Sequence, residues 1–259
     1  MRRIGIDVGG TNTDGALLDG SEVVDTVKTP TTSDVLSGIR QALDELSRDN
    51  IGAVVIGTTQ FTNAVVQRSK LNRVGFVRIG LPAGRSLPPL SGWPPDLAEV
   101  VRGQTFFVKG GVEYDGRAFE HLDELAVVEA AKQFADNGTN AIVVSGSFSP
   151  IDPQQENRAA ELIAEHHPGA QITMSHQLGQ LGLLERENAG GLNACLLELA
   201  ASVISAFASA IDQAGLGANT RLFLTQNNGT LLEVEAAAKY PVLTFASGPT
   251  NSMRGAAML

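Results

Sequence analysis

IGIDVGGTNTDGALLDG, residues 4–20, sets an acid, two glycines and three small polar residues between two apolar runs. Residues 3–8, 13–18 and 22–28 read as three consecutive strands, joined by Gly-Gly-Thr-Asn and by Asp19-Gly20, both turns of hairpin grade. Gly9 and Gly10 permit positive φ and carry no side chains, so backbone N–H groups there are free to crowd around an anion. Thr11, Asn12 and Thr13 add short donors. Asp7 ends the first strand, where a carboxylate is placed to hold Mg²⁺ directly or through water. The pattern therefore reads as a phosphate and magnesium site on a β-hairpin.

Two commoner phosphate motifs fail. Gly5 and Gly10 have P-loop spacing, but Thr11-Asn12 follow where Lys-Ser/Thr is required. The dinucleotide pattern G-x-G-x-x-G is absent, and a strand follows the turn where that motif needs a helix. A bare Gly-Gly hairpin with polar decoration is the plain alternative, and the acid with its three small polar neighbours argues against it.

The chain has 259 residues, 43% of them hydrophobic and 18% charged, enough for one large or two modest domains. Aromatic content is only 5%, which suits closely packed α/β layers better than an aromatic-rich sandwich. A net charge of -9 without a Lys/Arg block argues against nucleic acid and anionic membranes as partners. The single cysteine, Cys195, excludes an internal disulfide framework and a Cys-based zinc site. No leader and no uninterrupted apolar run of spanning length is read, so the expectation is a soluble cytoplasmic protein.

Further along, residues 34–46 read as a helix capped by Ser33, with Val35, Ile39, Leu43 and Leu46 on one face. Residues 53–56 read as a buried strand, 58–67 as a helix, and 74–79 as a strand. The Pro- and Gly-rich stretch 81–95 reads as a loop, and 105–109 with 112–114 as a hairpin around Gly110-Gly111. Helix, strand, helix, strand over 122–136, 141–144, 153–166 and 171–174 signals parallel βα units. Residues 183–214 read as a long helix, with a break expected at Gly190-Gly191. Strands are expected at 221–224 and 243–245, and a helix starting at Ser247-Gly248-Pro249.

The opening loop resembles the first phosphate loop of the sugar kinase, Hsp70 and actin superfamily, Asp-x-Gly-Gly-Thr-x-Thr-Asp. Five further stretches narrow the branch: GTTQFTNAVVQR (57–68), GGVEYDGR (110–117), LGLLERENAGGLNACLL (181–197), LTQNNGTLL (224–232) and FASGPTNSMRGAAML (245–259). Together they resemble the A subunit of the hydantoinase/oxoprolinase family over essentially the whole chain. The resemblance implies an α/β protein with a ribonuclease-H-like domain of the actin/Hsp70 type over 1–178. That domain would have a mixed sheet, with three antiparallel strands first and parallel strands after. Residues 179–259 would begin a second, largely helical family region. It also implies ATP-dependent opening of a cyclic amide or imide, such as a hydantoin or 5-oxoproline, by phosphoryl activation of the ring carbonyl. ATP and Mg²⁺ are the implied cofactors, and a B-type subunit is an implied partner; a homo-oligomer is a further possibility. Members carry a second Asp-x-Gly-Gly-Thr loop after the Ser-Gly-Pro helix, and here the pattern occurs once, at 7–11. The expectation is an N-terminal half that lacks part of the ATP cleft.

Asp7 is the expected Mg²⁺ residue, and Gly9, Gly10, Thr11, Asn12 and Thr13 the phosphate residues. Asp14 either supports the loop from the second strand or assists the chemistry. Thr58, Thr59 and Asn63 cluster between a strand end and a helix start, as ligands or as ordinary caps. Glu113 and Asp115 flank Tyr114 as acid–base candidates or as a solvated turn. His176 is the histidine to test as substrate-facing or acid–base. Glu185 and Glu187 read as favouring a helix dipole, and Cys195 as core. Two alternatives remain: a small-metabolite or sugar kinase of the same superfamily, and an inactive scaffold or subunit-contact module.

Overall fold

The computed structural model describes residues 1–30, 35–217 and 220–258. The chain forms two compact units, one from Met1–Gln67 with Glu198–Leu259, the other from Arg68–Leu197. The boundary expected at 178/179 falls inside the second of these.

The first unit is built on a six-stranded sheet. Strands β1 (Arg2–Val8), β2 (Asn12–Asp19) and β3 (Glu22–Pro30) form the antiparallel meander read from the sequence. Ile4, Ile6 and Val8 alternate with Gly5 and Asp7, so one face of β1 is buried and the other carries the acid. Helix α1 (Val35–Glu45) packs on the buried face through Ile39 and Leu43; Leu46 follows it and is buried as well. The expected Ser33 cap and Asp34 start lie outside the described residues. Strand β4 (Ile51–Thr58) runs parallel to β1 and leads into α2 (Gln60–Val66).

The second unit holds a separate, wholly parallel sheet. It comprises β5 (Val74–Leu81), β6 (Arg102–Lys109), β7 (Ala141–Gly146) and β8 (Gln171–Met174), in the order β6-β5-β7-β8. Helices α3 (Pro95–Val101), α4 (Glu124–Asp136) and α5 (Gln154–His166) connect them. Phe134 and Phe106 meet edge to face at 5.0 Å in a core that includes Val77, Ile79, Val144 and Ile163. The mixed sheet expected from sequence is the sheet of the first unit, and the strands expected to extend it over 74–174 form a parallel sheet of their own. The hairpin at Gly110-Gly111 is also corrected: β6 pairs in parallel with β5, and Val112 bridges only to Ala118. Gly110 and Gly111, at φ +139° and +101°, turn the chain away from β6 instead of doubling it back.

Helix α6 (Leu183–Gln213) contributes to the second unit as far as Leu197 and to the first from Glu198. It is long and apolar enough to cross a membrane, yet 56% of its most apolar window is buried inside the protein, as in a core helix. The expected break at Gly190-Gly191 is absent. A Cβ on Gly190 would lie 2.9 Å from Val143, and one on Gly191 would lie 3.3 Å from Phe76. The pair lets the helix lie close to its sheet. Gly190→Val should therefore destabilise by about 1–3 kcal/mol in urea titrations. Gly190→Ala should fail to give the stabilisation of about 1 kcal/mol that relieving a mid-helix glycine would bring.

The first sheet is completed from the far end of the chain. Strands β9 (Arg221–Thr225) and β10 (Leu231–Glu233) give the order β10-β9-β4-β1-β2-β3, with β9 parallel to β4. Helix α7 (Val234–Lys239) follows; the strand expected at 243–245 is a 3₁₀ turn, Pro241–Thr244. Helix α8 (Ser247–Met258) begins where Ser-Gly-Pro predicts it.

Candidate phosphate and cation site

Strands β1, β4 and β9 run in the same direction, so their carboxyl ends lie together, the usual place for a ligand in α/β sheets. The loop between β1 and β2 sits at that end. Gly9 N–H donates to Asn12 O at 3.0 Å and closes it. Gly10 and Thr11 are exposed, and among the described residues their N–H groups have no intramolecular acceptor. Asn12 enters β2. Thr13 is placed differently from expectation: its side chain is fully buried and faces Gly38 of α1, so only its backbone remains near the loop. The strict two-residue alternation of β2 sends Thr13 to the face opposite Asp14.

Asp7 and Asp14 stand opposite each other in the β1–β2 ladder. Partial burial raises the Asp7 pKa above the ordinary carboxylate range, and the charge of Asp14 raises it further. Asp14 pairs with Lys28 at 3.2 Å. On its other side Asp7 is level with Gly57 of β4. A Cβ on Gly57 would lie 2.8 Å from Asp7 Oδ1, 3.6 Å from Asn251 Nδ2 and 3.6 Å from Thr225 Oγ1. The missing side chain is the space in which these groups meet. Asn251 Nδ2 donates to Thr225 Oγ1 at 3.0 Å, and Thr225 Oγ1 donates to Ser247 Oγ at 3.2 Å. Thr225, Ser247 and Asn251 escaped the residue-by-residue reading. Their signal was present: a threonine closes the apolar strand β9, and small polar residues fill the first turns of α8.

The donor set fits Mg²⁺ carried with a polyphosphate. Among the described residues no group of three or more His, Cys, Asp or Glu is placed to hold a metal. Magnesium needs none, being bound commonly by one or two carboxylates with phosphate oxygens and water completing the shell. Asp7 would hold it, and the loop N–H groups would meet the phosphate.

The remaining candidates are dispersed. Thr58 Oγ1 accepts from Gln60 N–H at 3.2 Å, and Asn63 Nδ2 donates to Thr59 Oγ1 at 3.3 Å, so these side chains are engaged in local bonds at the start of α2. Thr59 N–H reaches Val8 O at 3.4 Å and ties α2 to the end of β1. In the second unit Asp115 pairs with Arg117 at 2.7 Å on the surface, and Glu113 N–H donates to Arg117 O at 2.7 Å within the same turn. Cys195 is core as expected, its thiol pushed up to about 12 by burial.

His176 belongs to a buried polar network of the second unit. The fully buried Glu156 of α5 accepts from Gly146 N–H (2.8 Å), Ser149 Oγ (2.5 Å), Ser175 Oγ (2.7 Å), His176 N–H (3.1 Å) and the His176 ring at Nδ1 (2.7 Å). Arg186 Nε and Nη2 donate to Ser175 Oγ and Ser149 Oγ, each at 3.1 Å. Burial alone would raise the Glu156 pKa; hydrogen bonds from His176, Ser149 and Ser175 outweigh it and hold the carboxyl below the usual range. With a depressed folded-state pKa, its contribution to stability is complete above the unfolded value, near 4.3, and is lost as the pH falls through the folded value. Thermal melts from pH 6 to 3 should therefore show a steeper acid loss for the native protein than for Glu156→Gln.

Glu187 does not serve the helix dipole. It is buried beside Arg78, receiving both Nε and Nη2 of the guanidinium, and Ser145 Oγ donates to it at 2.6 Å. Arg78, the one charge in the apolar run of β5, was the available signal.

The sequence model of the hydantoinase/oxoprolinase N-terminal region matches residues 3–167. The chain belongs to the hydantoinase/oxoprolinase family. Among its family relatives is the caprolactamase subunit alpha of Pseudomonas jessenii, 26% identical over 96% of this chain and 39% of that protein. Another is the acetophenone carboxylase gamma subunit of Aromatoleum aromaticum, 28% identical over 99% of this chain and 39% of its own length. In fold the chain is similar to nucleotide-free acetone carboxylase, with a TM-score of 0.74 at 21% identity over 99% of this chain and 40% of the other. The ATP-dependent caprolactamase structure from Pseudomonas jessenii gives 0.74 at 23% identity over 96% of this chain and 39% of the other. The fold is the α/β, actin-like ATPase type that the opening loop implied. The chain spans about two fifths of the length of these relatives.

Proposed function

We propose that this chain is the N-terminal part of a cytoplasmic ATP-dependent enzyme that opens a cyclic amide or imide of the hydantoin, 5-oxoproline or lactam kind. The observation that carries this reading is the loop closed by Gly9, with the N–H groups of Gly10 and Thr11 free, beside Asp7 at the carboxyl ends of β1 and β4. Similarity to a caprolactamase subunit supports the substrate class. Mg-ATP supplies the phosphoryl group that makes the ring carbonyl electrophilic. The chain's own part is to bind and orient. Loop N–H groups meet phosphate oxygens at fixed positions, and Asp7 neutralises the cation. A B-type subunit is the proposed partner, and the subunit names of the relatives support an assembly of that kind.

Calorimetry with Mg-ATP on this chain, on Asp7→Ala and on the complete protein tests the proposal. The complete protein should bind, Asp7→Ala of it should bind at least tenfold more weakly, and a ring-opening assay should show ADP released with product. Absence of binding in every form would return the loop to an ordinary Gly-Gly hairpin. A second reading, ATP-dependent carboxylation, is favoured by likeness to the acetophenone carboxylase gamma subunit. ATP turnover that needs bicarbonate and a ketone, and ignores cyclic amides, would select it.

A further inference from the structure

A cleft outside the candidate phosphate site lies wholly within the second unit. One wall comes from the Pro- and Gly-rich stretch read from sequence as a loop, which turns tightly between Pro88 and Trp93. Ser91 N–H and Ser91 Oγ both donate to Pro88 O, at 3.2 and 2.6 Å, and Trp93 N–H donates to Leu90 O at 3.1 Å. Leu90 is 4% exposed and holds φ at +66°, a left-handed conformation that leucine rarely adopts. It anchors the turn in the core: a Cβ on Gly191 of α6 would lie 3.5 Å from Leu90 Cδ2. Backbone strain that the surrounding structure enforces gathers at ligand sites.

Between this turn and α3, at the amino ends of β5 and β6, the cleft is open and holds about 530 Å³, a volume within the range of small-molecule sites. Leu90 and Ala98 give it an apolar floor, and the half-buried Trp93 lines one side. Arg73, Glu99 and Arg102 stand exposed around it. Arg73 Nη1 donates to Arg102 O at 3.1 Å, which fixes its guanidinium at the start of β6 and leaves its charge uncompensated. Among the described residues neither arginine is ion-paired, and the Arg102 side chain has no hydrogen-bond partner. Asp96, the other acid of α3, is taken by Arg68 at 2.9 Å. The rim therefore carries two positive charges and one negative, a balance suited to a monoanion. Guanidinium groups match the two oxygens of a carboxylate with paired N–H donors. An aromatic ring and an apolar floor suit the body of such a ligand.

We propose that this cleft binds a small organic carboxylate with an apolar body, its carboxylate on Arg73 and Arg102 and its body against Trp93. A dianionic phosphate suits the cleft less, because Glu99 shares the rim. The site is built from residues 73–102 and is independent of the amide-opening reading.

Trp93 is the only tryptophan in the chain, so its emission and its single indole N–H resonance report on this cleft alone. Phenylacetate titrated into the native chain at millimolar concentrations should change both signals saturably. Phenylacetamide, with the same ring and no charge, and inorganic phosphate should each bind about tenfold more weakly or worse. Arg73→Gln and Arg102→Gln should each weaken phenylacetate binding about tenfold, with the melting temperature unchanged because both side chains are exposed. Glu99→Gln should tighten it. Equal responses to phenylacetate and phenylacetamide would overturn the proposal and make the cleft a plain apolar groove. Phosphate that binds as tightly as phenylacetate, or arginine variants that bind as well as the native chain, would overturn the carboxylate assignment. No saturable change in either signal would overturn the site itself.

Discussion

Glu187→Ala is expected to destabilise the protein by about 3–5 kcal/mol, among the largest effects of any single substitution in the chain. Arg78 and Glu187 are 2% and 1% exposed. Removing the carboxylate leaves the guanidinium buried with the carbonyls of Gly84 and Leu87 and the ring of Phe107 at 5.6 Å. None of these offsets a full positive charge. Ser145 Oγ loses its acceptor at the same time. The converse substitution, Arg78→Met, should cost a similar amount because it strands the carboxylate. The double variant Arg78→Met/Glu187→Leu removes both charges and should recover most of the loss. Urea unfolding of the native protein, Arg78→Met, Glu187→Leu and the double variant closes a double-mutant cycle. A strongly coupled pair gives a double variant near the native value. Additive losses would mean that packing around each side chain, not the ion pair, carries the effect.

Asp7→Asn should divide stability from function. Burial and Asp14 raise the folded-state pKa of Asp7. Its contribution to folding is therefore favourable only at low pH, below the unfolded value near 3.9, and is lost as the pH rises through the folded value. At neutral pH the charged carboxylate is held against its preference. Asparagine keeps the shape and removes the charge, so the melting temperature should rise at pH 7 and the gain should shrink toward pH 4. In the complete protein the same change should lower ATP-dependent turnover on the order of 10²-fold, because the cation loses its carboxylate. A variant that is less stable and equally active would make Asp7 a structural residue. Gly57→Ala provides an orthogonal check, since its methyl would press on Asp7 Oδ1 from 2.8 Å. Turnover should drop there with no charge removed.

The hairpin strands and the turns between them were legible because alternation and Gly-Gly punctuation are local signals. Strands β5, β7 and β8 of the second unit were legible as apolar runs between helical patterns, whereas β6 was read as one arm of a hairpin. Their division into two sheets was not, since which strand lies beside β4 depends on residues 221–225, far along the chain. Gly190-Gly191 misled for a related reason: helix propensity counts against glycine, while close approach to Val143 and Phe76 favours it. At the candidate site, Asp7, Gly9, Gly10 and Thr11 could be read as a group because the motif is contiguous. Thr225, Ser247 and Asn251 were missed because they join it only through space. Thr13 was overcounted since the motif does not say which face of β2 a residue occupies. Glu156 carried no local mark at all, lying among ordinary helix-forming residues.

The first unit is assembled from both ends of the chain, with residues 68–197 between its halves. This has a consequence for synthesis on the ribosome. The meander and β4 emerge early, but the strand that covers the free edge of β4 is not made until residue 225. At ordinary elongation rates that is an interval of about ten seconds or more, during which an apolar parallel edge has no neighbour. The continuous middle unit meets no such delay. A nascent chain of this design has its first-made strands waiting on strands made much later, so slow translation or a chaperone resident on that edge would decide the yield of the folded unit more than the stability of the finished fold.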